Sequence, residues 1–502
     1  PFTDNGTIAN SVIFNNADNA YVSKTFGTPT NNKKWTLSAW VKLGVLGTNR
    51  ALISSNINGA EYFDLFFTTG NVLKAQNRIS SSNDLLSSTS RTFEDTSKFY
   101  HFLIVYDSDN STSADRYIVY VDGDRLTVDD EAGSGVASAF NKSGVQHQVG
   151  ISNTLGSSGV AGLGYQFDGY MAEVNFVDGS ALTPSTFGLT DTSTGRWIPK
   201  ALTGITYGNN GFRLQFASSS DFGDDSAGSN DFSVTNLVPS DQTTDSPTQN
   251  HATMNPSNKA STNASLSEGN LTVTQSNTYG GACAGMALPS SGKYYWEIKS
   301  VGTMDGNTIV GIVPDNGVTI AGSGQFPGGS SNSGSFGFAP AQTSDAQTVR
   351  NSVFENCPTL SKTTNAGTYI QMCWDGDTGS LWFGLNDTFE GNPSAGTGAS
   401  FTGINNTNKL FPACFAYADV FEFNFGQRSF QYTPPTGFVA LQQDNLSETS
   451  KGVTGFSWIK NRDTASNHQL YDSSRGAGKL LMSSATNAES TRTDALYKFL
   501  KG

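Results

Sequence analysis

The sequence predicts an all-β fold: tandem antiparallel β-sandwiches followed by a short C-terminal α/β piece. Three observations favour this fold class. Apolar and polar residues alternate with a period of two, turn signals separate the short apolar runs, and glycine is abundant. The 502-residue chain has 54 glycines, and only 36% of its residues are hydrophobic and 15% charged. This composition excludes coiled coils and helical bundles, which need alanine, leucine, glutamate and lysine in quantity.

The first predicted domain covers residues 1–217 and contains the clearest strand patterns. Residues 35–41 alternate, and residues 99–106 are apolar on both faces, as in a central strand. The stretch 116–128 predicts a hairpin, because Asp122-Gly123 supplies the two positive-φ residues of a type I′ turn. Two more strands are predicted at 167–177 and 211–216.

A polar stretch follows at residues 218–262, rich in Ser, Asp, Asn and Thr, and its composition predicts a linker or a long surface excursion. The second predicted domain covers residues 263–441. Its predicted strands are 292–299, 308–313, the hairpin 368–385, and 421–426, where aromatic and polar residues alternate.

The last predicted piece, residues 442–502, combines a strand with a helix. The strand is predicted at 456–460. The helix is predicted at 491–500, where Ala495, Leu496 and Phe499 share one face. Residues 451–502 carry eight basic and four acidic residues, a net +4, whereas residues 1–450 carry −17. We expect the basic end to be either an ordinary solvated surface or a docking site for something acidic.

Charge and hydropathy exclude some partners. The net charge of −13 makes nucleic acid an unfavourable partner, since phosphate backbones repel an acidic chain. No apolar stretch reaches the roughly 18 residues of a transmembrane helix, so no membrane insertion is expected. The first residues, Pro1 to Asn5, lack the basic and apolar regions of a secretion signal.

Four cysteines lie in the second half of the chain, at Cys283, Cys357, Cys373 and Cys414. Their spacing matches no metal-binding Cys-x-x-Cys pattern. Two disulfides are one interpretation. Buried free thiols are the favoured one, because the chain shows no export signal.

Two parts of the chain resemble known families. Residues 5–216 resemble a concanavalin A-like lectin/glucanase (laminin-G-type) jelly roll, and residues 265–440 resemble a SPRY (B30.2-type) sandwich. The first resemblance rests on residues 20–22, 35–42, 122–123 and 167–174, and the second on residues 292–297, 379–384 and 421–426.

The order of these blocks, joined by residues 181–188 and followed by 455–460 and 472–476, resembles virion surface proteins of marine tailed phages. That resemblance implies a non-enzymatic bacteriophage structural protein, a tail fibre or appendage on the virion surface, active in receptor binding and host attachment. Its partners would be a host cell-surface glycan or receptor and other virion proteins, and it would form a homo-oligomer, with a trimer favoured. The alternatives are a capsid decoration or head fibre protein, and a polysaccharide depolymerase.

No catalytic group is predicted. Concanavalin A-like glucanases need two carboxylates that flank the scissile bond. The nearest pair, Glu173 and Asp178, lies an odd number of residues apart on a strand, so the two side chains should point to opposite faces. His101 lies inside a predicted strand and is interpreted as a satisfied core residue rather than a ligand.

Calcium is the metal that the acidic loops would suit, since it prefers oxygen ligands. The first candidate site comprises Asp221, Asp224, Asp225 and Asp231, in a turn that resembles one common in laminin-G-like domains. Such domains often hold a calcium ion at the rim of the sandwich. The second candidate site is Asp107 with Asp109. The alternative for both loops is a polar turn with Asx caps.

Carbohydrate binding would need exposed aromatic rings beside polar groups. Most tryptophans lie in predicted strands and are interpreted as core residues, but Trp197 and Trp458 lie nearer segment ends and are the better candidates for exposure. In SPRY domains, loops at one end of the sandwich bind the partner. The matching loops here are 315–337 and 386–400, which are either adaptable binding loops or solvated connectors.

Overall fold

A computed structural model gives the architecture of most of the chain. It describes residues 6–58, 60–152, 165–191, 195–260, 263–276, 279–314, 325–342, 344–407, 409–446, 456–472, 479–486 and 488–491. Over these residues the fold is all-β, with antiparallel sheets arranged as two sandwiches and a small C-terminal sheet. The predicted fold class is therefore confirmed.

The first sandwich packs two sheets, with strand orders β10-β9-β8-β3-β14-β1-β19 and β18-β2-β11-β4-β5-β6-β7, and β17 also pairs with β14. Two two-stranded sheets, β12-β13 and β15-β16, complete this part of the chain. The strands are β1 Ser11–Phe14, β2 Tyr21–Thr25, β3 Lys34–Leu43, β4 Arg50–Asn58, β5 Glu61–Phe67, β6 Val72–Ile79, β7 Ser82–Thr92, β8 Tyr100–Asp107, β9 Tyr117–Val121, β10 Asp124–Arg125, β11 Gln146–Val149, β12 Ile151–Ser152, β13 Tyr165–Gln166, β14 Gly169–Asp178, β15 Gly188–Thr190, β16 Trp197–Pro199, β17 Phe212–Leu214, β18 Ser233–Thr235 and β19 Gln242–Thr243.

The sequence pattern explains these elements. Trp35 on β3 is fully buried and stacks on Tyr106 of β8, with ring centroids 5.3 Å apart. The predicted hairpin forms between β9 and β10, and Asp122 and Gly123 adopt φ values of 52° and 85°. The prediction of a type I′ hairpin is therefore confirmed.

The second sandwich also packs two sheets, with orders β20-β23-β32-β25-β26-β27-β28 and β21-β22-β33-β24-β29-β30-β31, and β34 pairs with β24. Alternation at 421–426 buries Phe421, Phe423 and Phe425 against Trp296 and Trp374 in one core. The strands are β20 Met254–Lys259, β21 Ala264–Ser267, β22 Thr272–Gln275, β23 Tyr279–Ala284, β24 Lys293–Ser300, β25 Ile309–Pro314, β26 Phe336–Ala339, β27 Asp345–Arg350, β28 Val353–Ser361, β29 Tyr369–Asp375, β30 Ser380–Leu385, β31 Thr388–Phe389, β32 Leu410–Tyr417, β33 Val420–Asn424 and β34 Val439–Ala440.

The C-terminal piece contains a four-stranded antiparallel sheet: β35 Phe456–Ile459, β36 Gln469–Asp472, β37 Lys479–Met482 and β38 Ser490–Thr491. The predicted strand at 456–460 is present. The predicted helix at 491–500 lies outside the described residues apart from Thr491, which belongs to β38. Helical elements of the described residues are single 3₁₀ turns, at Asn16–Asp18, Ser113–Asp115, Pro184–Thr186, Pro239–Asp241 and Gln443–Asn445. None of the described helices could span a membrane.

The polar stretch 218–262, predicted as a linker or a long surface excursion, contains three short strands. Strand β18 pairs with β2 and β19 pairs with β1, which places both in the first sandwich, whereas β20 belongs to the second. The strands are only two to six residues long and have few large apolar side chains. Their pairing is fixed by partners far away in the sequence, and composition does not reveal such partners.

The two sandwiches meet at a buried joint. The Tyr170 hydroxyl donates to the carbonyl of Gly269 at 2.7 Å, and the Asn270 amide donates to the carbonyl of Gly44 at 3.1 Å. Leu271 of the second sandwich belongs to one apolar cluster with Trp40 of the first. These contacts cover part of the outer face of the sheet that contains β3 and β14.

A buried ion pair holds the segment that joins the sandwiches. The Lys42 ammonium lies 2.8 Å from the Asp245 carboxylate, and both side chains are 0% exposed. Lys42 also donates to the Asn250 side-chain oxygen at 3.0 Å and to the His251 carbonyl at 2.9 Å. All three donors of the ammonium therefore have acceptors, which is what a buried charge requires.

The four cysteines are buried thiols, as the favoured interpretation holds. Burial raises the pKa of the Cys357 thiol to about 11 and that of Cys414 to about 12. A high pKa keeps a thiol protonated and unreactive at neutral pH.

Candidate functional site

A serine and a histidine contact each other inside the first sandwich. The Ser38 hydroxyl lies 2.8 Å from His101 Nε2, and the Trp197 indole N–H donates to His101 Nδ1 at 3.0 Å. Because Nδ1 accepts, the ring proton is on Nε2 and points at Ser38, so this nitrogen does not take a proton from the hydroxyl. Complete burial lowers the pKa of His101 to about 3. His101 is the satisfied core residue that the sequence predicts.

The two carboxylates considered as an acid pair have separate structural partners. Glu173 sits in a β-bulge of β14, with φ of 49°, and accepts two bonds from the Arg213 guanidinium at 2.9 and 3.0 Å. Asp178, at the end of the strand, accepts from the backbone N–H groups of Thr30 and Asn31 at 2.7 and 3.1 Å. Each carboxylate is therefore held by its own structural partners, and the two do not form the carboxylate pair of a glycosidase.

The acidic loop after β17 is organised around Asp225. Its carboxylate accepts backbone N–H bonds from Arg213 at 2.8 Å, Ala227 at 3.0 Å and Asn230 at 2.9 Å. Asp231 accepts the N–H of Asp225 at 3.1 Å. Asp225 is therefore the buried centre of an Asx-capped turn.

The remaining predicted calcium ligands do not converge with Asp225. Asp221 accepts the N–H of Gly223 at 3.0 Å, and Asp224 is exposed. In the second candidate loop, Asp107 pairs with Lys34 at 2.9 Å and Asp109 with Lys33 at 3.3 Å. No three His, Cys, Asp or Glu side chains of the described residues group as a metal site. As placed, these carboxylates do not fit a calcium ion, and calcium binding stays a prediction.

A stability measurement separates a capped turn from a calcium site. We expect Asp225→Ala to lower the free energy of unfolding by about 1–3 kcal/mol, because three backbone N–H groups lose the acceptor that the buried carboxylate provides. The loss should be the same in EDTA and in millimolar calcium, as measured by urea denaturation. Asp224→Ala, at an exposed position of the same loop, should change little. If EDTA destabilises the unmodified chain and not Asp225→Ala, the loop binds calcium after all.

The tryptophans divide into buried and exposed residues. Trp40 is 5% exposed and Trp197 is partly buried over His101. Trp458, by contrast, is 61% exposed. The expected exposure is therefore found at Trp458, whereas Trp197 packs mainly against His101. The other four, each less than 2% exposed, are Trp35, Trp296, Trp374 and Trp382.

An aromatic surface lies on the outer face of the second sandwich. Tyr279 on β23 pairs directly with Tyr417 on β32, and each is 39% exposed. Their ring centroids are 5.5 Å apart. Tyr279 also stacks on the buried Phe415, at 5.7 Å and with an interplanar angle of only 4°. We call Tyr279, Tyr417 and Phe415 the tyrosine surface.

The local sequence explains how this surface forms. Gly281 lies opposite Phe415 in the β23–β32 register and adds no side chain there, so the ring of Tyr279 can lie over Phe415. Phe326 also packs on Phe415, with ring centroids 5.8 Å apart. The result is an aromatic patch in which the rings of Tyr279 and Tyr417 are tilted by 56° relative to each other.

The chemistry of the tyrosine surface suits a polar ligand with an apolar face. Each phenol can both donate and accept a hydrogen bond, while its ring offers apolar area. Strands β23 and β32 lie inside their sheet, with neighbours on both sides, so an added strand cannot pair there. A ligand must therefore lie on the face. Sugar rings, which combine C–H faces with hydroxyl edges, meet these requirements.

A cleft beside β15 and β16 is a second concave surface. Its volume is about 470 Å³, and its lining combines hydroxyl side chains with one charged residue, Lys200. The Lys200 ammonium donates to the carbonyl of Ser185 at 3.1 Å. The cleft has no aromatic ring against which a sugar could stack, so the tyrosine surface is the better candidate for recognition.

The two predicted binding loops are only partly described. Residues 315–324 of the first lie outside the described residues, and 325–335 contain turns. The second loop, 386–400, contains β31 and is anchored by the Trp382 indole N–H, which donates to the Thr397 carbonyl at 3.0 Å. The first loop contributes Phe326, which packs on Phe415 of the tyrosine surface. The sequence analysis did not identify the tyrosine surface, because its two strands are distant in the chain.

Family models match two parts of the chain. A model described as the concanavalin A-like lectin/glucanases superfamily, Laminin_G_3, matches residues 15–186, and a SPRY domain model matches residues 293–428. The chain joins a concanavalin A-like domain to a SPRY domain. Domains of these two kinds are binding modules in most proteins. Tyr417 and Phe415 lie within the residues that the SPRY model matches, and Tyr279 lies 14 residues before them.

Solved structures similar to these domains have low overall scores. The SPRY domain of human HERC1 is 15% identical, with a TM-score of 0.27, and covers 35% of this chain and 99% of its own. A heptameric SAP-like pentraxin from Limulus polyphemus is 14% identical, with a TM-score of 0.29, over 45% of this chain and 95% of its own. A human SPRY domain is 17% identical, with a TM-score of 0.26, over 33% and 98%. No curated protein is significantly similar.

Proposed function

We propose that this chain is a non-enzymatic phage virion protein, a tail fibre or appendage, that recognises a glycan on the host surface. The proposal joins two kinds of support. The concanavalin A-like and SPRY domains fit carbohydrate or protein recognition. The order of the domains and of the segments after them resembles phage virion surface proteins. On this proposal the chain lies on the outside of the particle, as a homo-oligomer attached to other virion proteins.

The tyrosine surface is the observation that carries glycan recognition. Tyr279 and Tyr417 are each 39% exposed, and they lie at the first residue of β23 and the last residue of β32, two strands with neighbours on both sides. Core packing does not require this exposure, since Phe415 already fills the site beneath Tyr279. Aromatic rings with a polar edge are favoured in binding sites because they bury much area while losing little side-chain entropy.

A glycan array and a matched set of variants test this function. The full chain should bind at least one host-derived glycan. Tyr279→Ala and Tyr417→Ala should each weaken binding about tenfold, equivalent to about 1.4 kcal/mol, because each removes one ring from the surface. The matched control is Tyr432→Ala, which removes a partly buried tyrosine elsewhere on the same domain and should retain full affinity.

Two outcomes would count against the proposal. If the full chain binds no glycan on the array and none on host cells, recognition of carbohydrate is wrong. If it binds, but the two tyrosine variants and Tyr432→Ala behave alike, the ligand lies elsewhere, for example in the Lys200 cleft.

The position on the virion is tested separately. Cryo-electron microscopy of intact particles, with the chain labelled by an antibody, should place it at the tail. A label spread over the capsid would replace the tail assignment with a decoration or head fibre. Absence from the particle would overturn the virion assignment but leave the glycan measurement valid.

A further inference from the structure

Lys42, Asp245 and Asn250 form a buried triad at the joint between the sandwiches. The Lys42 nitrogen lies 2.8 Å from a carboxylate oxygen of Asp245 and 3.0 Å from the side-chain oxygen of Asn250. Lys42 and Asp245 are 0% exposed, and Asn250 is 7% exposed. An amine, an acid and an amide therefore lie within reach of one another in a site that is closed to bulk water.

Two aromatic rings shield the triad. The Lys42 nitrogen lies 5.7 Å from the ring centre of Phe99 and 5.4 Å from that of Tyr170. Both rings are buried. Exclusion of water strengthens the electrostatic interactions inside such a site and keeps water from competing as a nucleophile. The triad is therefore placed in surroundings that suit a reaction between its members.

Hydrogen bonds hold the acid and the amide in fixed positions. The second carboxylate oxygen of Asp245 accepts the backbone N–H of His251, the residue after Asn250, at 3.1 Å. The Asn250 amide N–H donates to the Ser97 carbonyl at 2.8 Å, so the amide oxygen faces Lys42. The carbonyl carbon lies only one C=O bond, about 1.23 Å, beyond that oxygen. Groups that are held together in this way react as if at very high concentration.

We propose that Lys42 and Asn250 become joined by an amide bond between their side chains, and that the folded chain forms this bond itself with Asp245 as proton carrier. A buried lysine amine is a suitable nucleophile once it is neutral. The ion pair of Lys42 with Asp245 is the starting state of the reaction, and a chain that has not reacted keeps it.

The reaction balances without any further reagent. The Lys42 ammonium gives one proton to Asp245, which leaves a neutral amine beside a neutral acid. The lone pair of the amine attacks the side-chain carbonyl carbon of Asn250 and forms the new C–N bond. Asp245 gives its proton to the amide nitrogen of Asn250 and takes one from the attacking nitrogen. The old C–N bond breaks with its electron pair on the departing nitrogen, ammonia leaves, and Asp245 ends the step protonated.

The roles of the two acceptors follow from their chemistry. The Asp245 carboxylate is negatively charged in the ion pair, and a negative charge protects its carbon from attack by an amine. The amide of Asn250 carries no charge and is the electrophile. Asp245 is placed to move protons instead, because it touches the nucleophile directly and is bound to the backbone next to the amide.

The bond joins residues that are 208 positions apart in the chain. It ties β3 of the first sandwich to the segment just before β20 of the second. A covalent link across so long a loop strongly restricts the unfolded chain. In a chain that has reacted, the joint is therefore closed by a bond as well as by packing.

Mass spectrometry of the full chain tests the proposal. The folded chain should be lighter than its sequence by one molecule of ammonia. Trypsin should release a branched peptide in which residues 35–50, uncut at Lys42, are joined to residues 214–259. Fragment spectra should place the branch at Lys42 and Asn250. In a denaturing gel the closed loop should migrate faster than the open chain of a variant that cannot react.

Variants separate the chemistry from the fold, which circular dichroism checks. Lys42→Arg keeps a positive charge beside Asp245, but a guanidinium stays protonated and cannot attack, so this variant should have its full mass. Asn250→Ala removes the electrophile and should also have its full mass. Asp245→Asn should slow the loss of ammonia after refolding at least about a hundredfold, as expected for a lost acid–base group. Lys33→Ala, in the exposed ion pair with Asp109, is the matched control and should react normally.

Three results would overturn the proposal. A folded, unmodified chain that keeps its full mass after long incubation at physiological temperature holds only an ion pair, and this result does not depend on any variant. A loss of water with the branch at Asp245 would assign the bond to the other acceptor. A loss of ammonia that persists in Lys42→Arg would come from a different asparagine.

Discussion

Lys42→Ala is expected to lower the free energy of unfolding by about 3–5 kcal/mol, because it leaves the buried carboxylate of Asp245 without its partner. Both side chains are 0% exposed and 2.8 Å apart. The Lys42 ammonium also lies 5.7 Å from the ring centre of Phe99 and 5.4 Å from that of Tyr170, so its loss removes two cation–π contacts. Guanidinium denaturation, followed by tryptophan fluorescence, measures the change.

An exposed ion pair is the control for this measurement. Lys33 pairs with Asp109 at 3.3 Å, but the side chains are 37% and 50% exposed. Lys33→Ala should therefore change stability by less than about 1 kcal/mol. Combining Lys42→Met with Asp245→Leu should recover much of the loss, because no buried charge remains unpaired. If Lys42→Ala costs no more than Lys33→Ala, the joint is not held by this ion pair.

Asp168→Asn is expected to stabilise the protein above pH 6 by about 2–3 kcal/mol, an effect that should vanish near pH 4. Burial raises the pKa of Asp168 to about 6. The side chain is 1% exposed and accepts a long bond of 3.5 Å from the N–H of Asn16. The N–H groups of Asn16 and Val45 and the Arg50 guanidinium lower the pKa, but burial outweighs them. An amide at this position stays neutral and avoids the cost of burying a charge.

The direction of this pH dependence follows from the linkage between proton binding and folding. The folded state binds the Asp168 proton more tightly than the unfolded state, so its stabilising contribution is complete below pH 4 and is lost as the pH rises through 6. Buried His101 and His147 act in the opposite direction, because their pKa values are lowered to about 3. The test is therefore the difference in stability between Asp168→Asn and the unmodified chain, from which the histidine contributions cancel. A difference that does not change between pH 4 and 7 would contradict the assigned pKa.

Local sequence patterns predict the parts of the fold in which one residue decides the geometry. The Asp122-Gly123 turn and the aromatic alternation at 421–426 are such cases, because a positive φ or a two-residue period leaves little choice. The stretch 218–262 is the opposite case. Its short strands β18 and β19 are defined by their pairing with β2 and β1, more than 200 residues earlier, and no local pattern encodes that pairing.

The candidate site could not be predicted from the sequence for the same reason. Tyr279 and Tyr417 each look like ordinary strand residues, and only the register of β23 with β32 brings them together. In the acidic loop, by contrast, closeness in the sequence suggested a calcium site that the side chains do not form. Asp221, Asp225 and Asp231 are close in the sequence and suit calcium by composition, but their oxygen atoms accept backbone N–H groups instead.

The joint between the sandwiches has a consequence for avidity. With Lys42, Asp245 and Tyr170 buried between them, the two domains are held at one separation and one angle, without the freedom of a flexible tether. Once one domain is attached to a surface, the effective concentration of the second is set by that fixed geometry rather than by linker length. On the proposed function, a second binding site on the first sandwich would favour surface receptors whose spacing matches this fixed geometry.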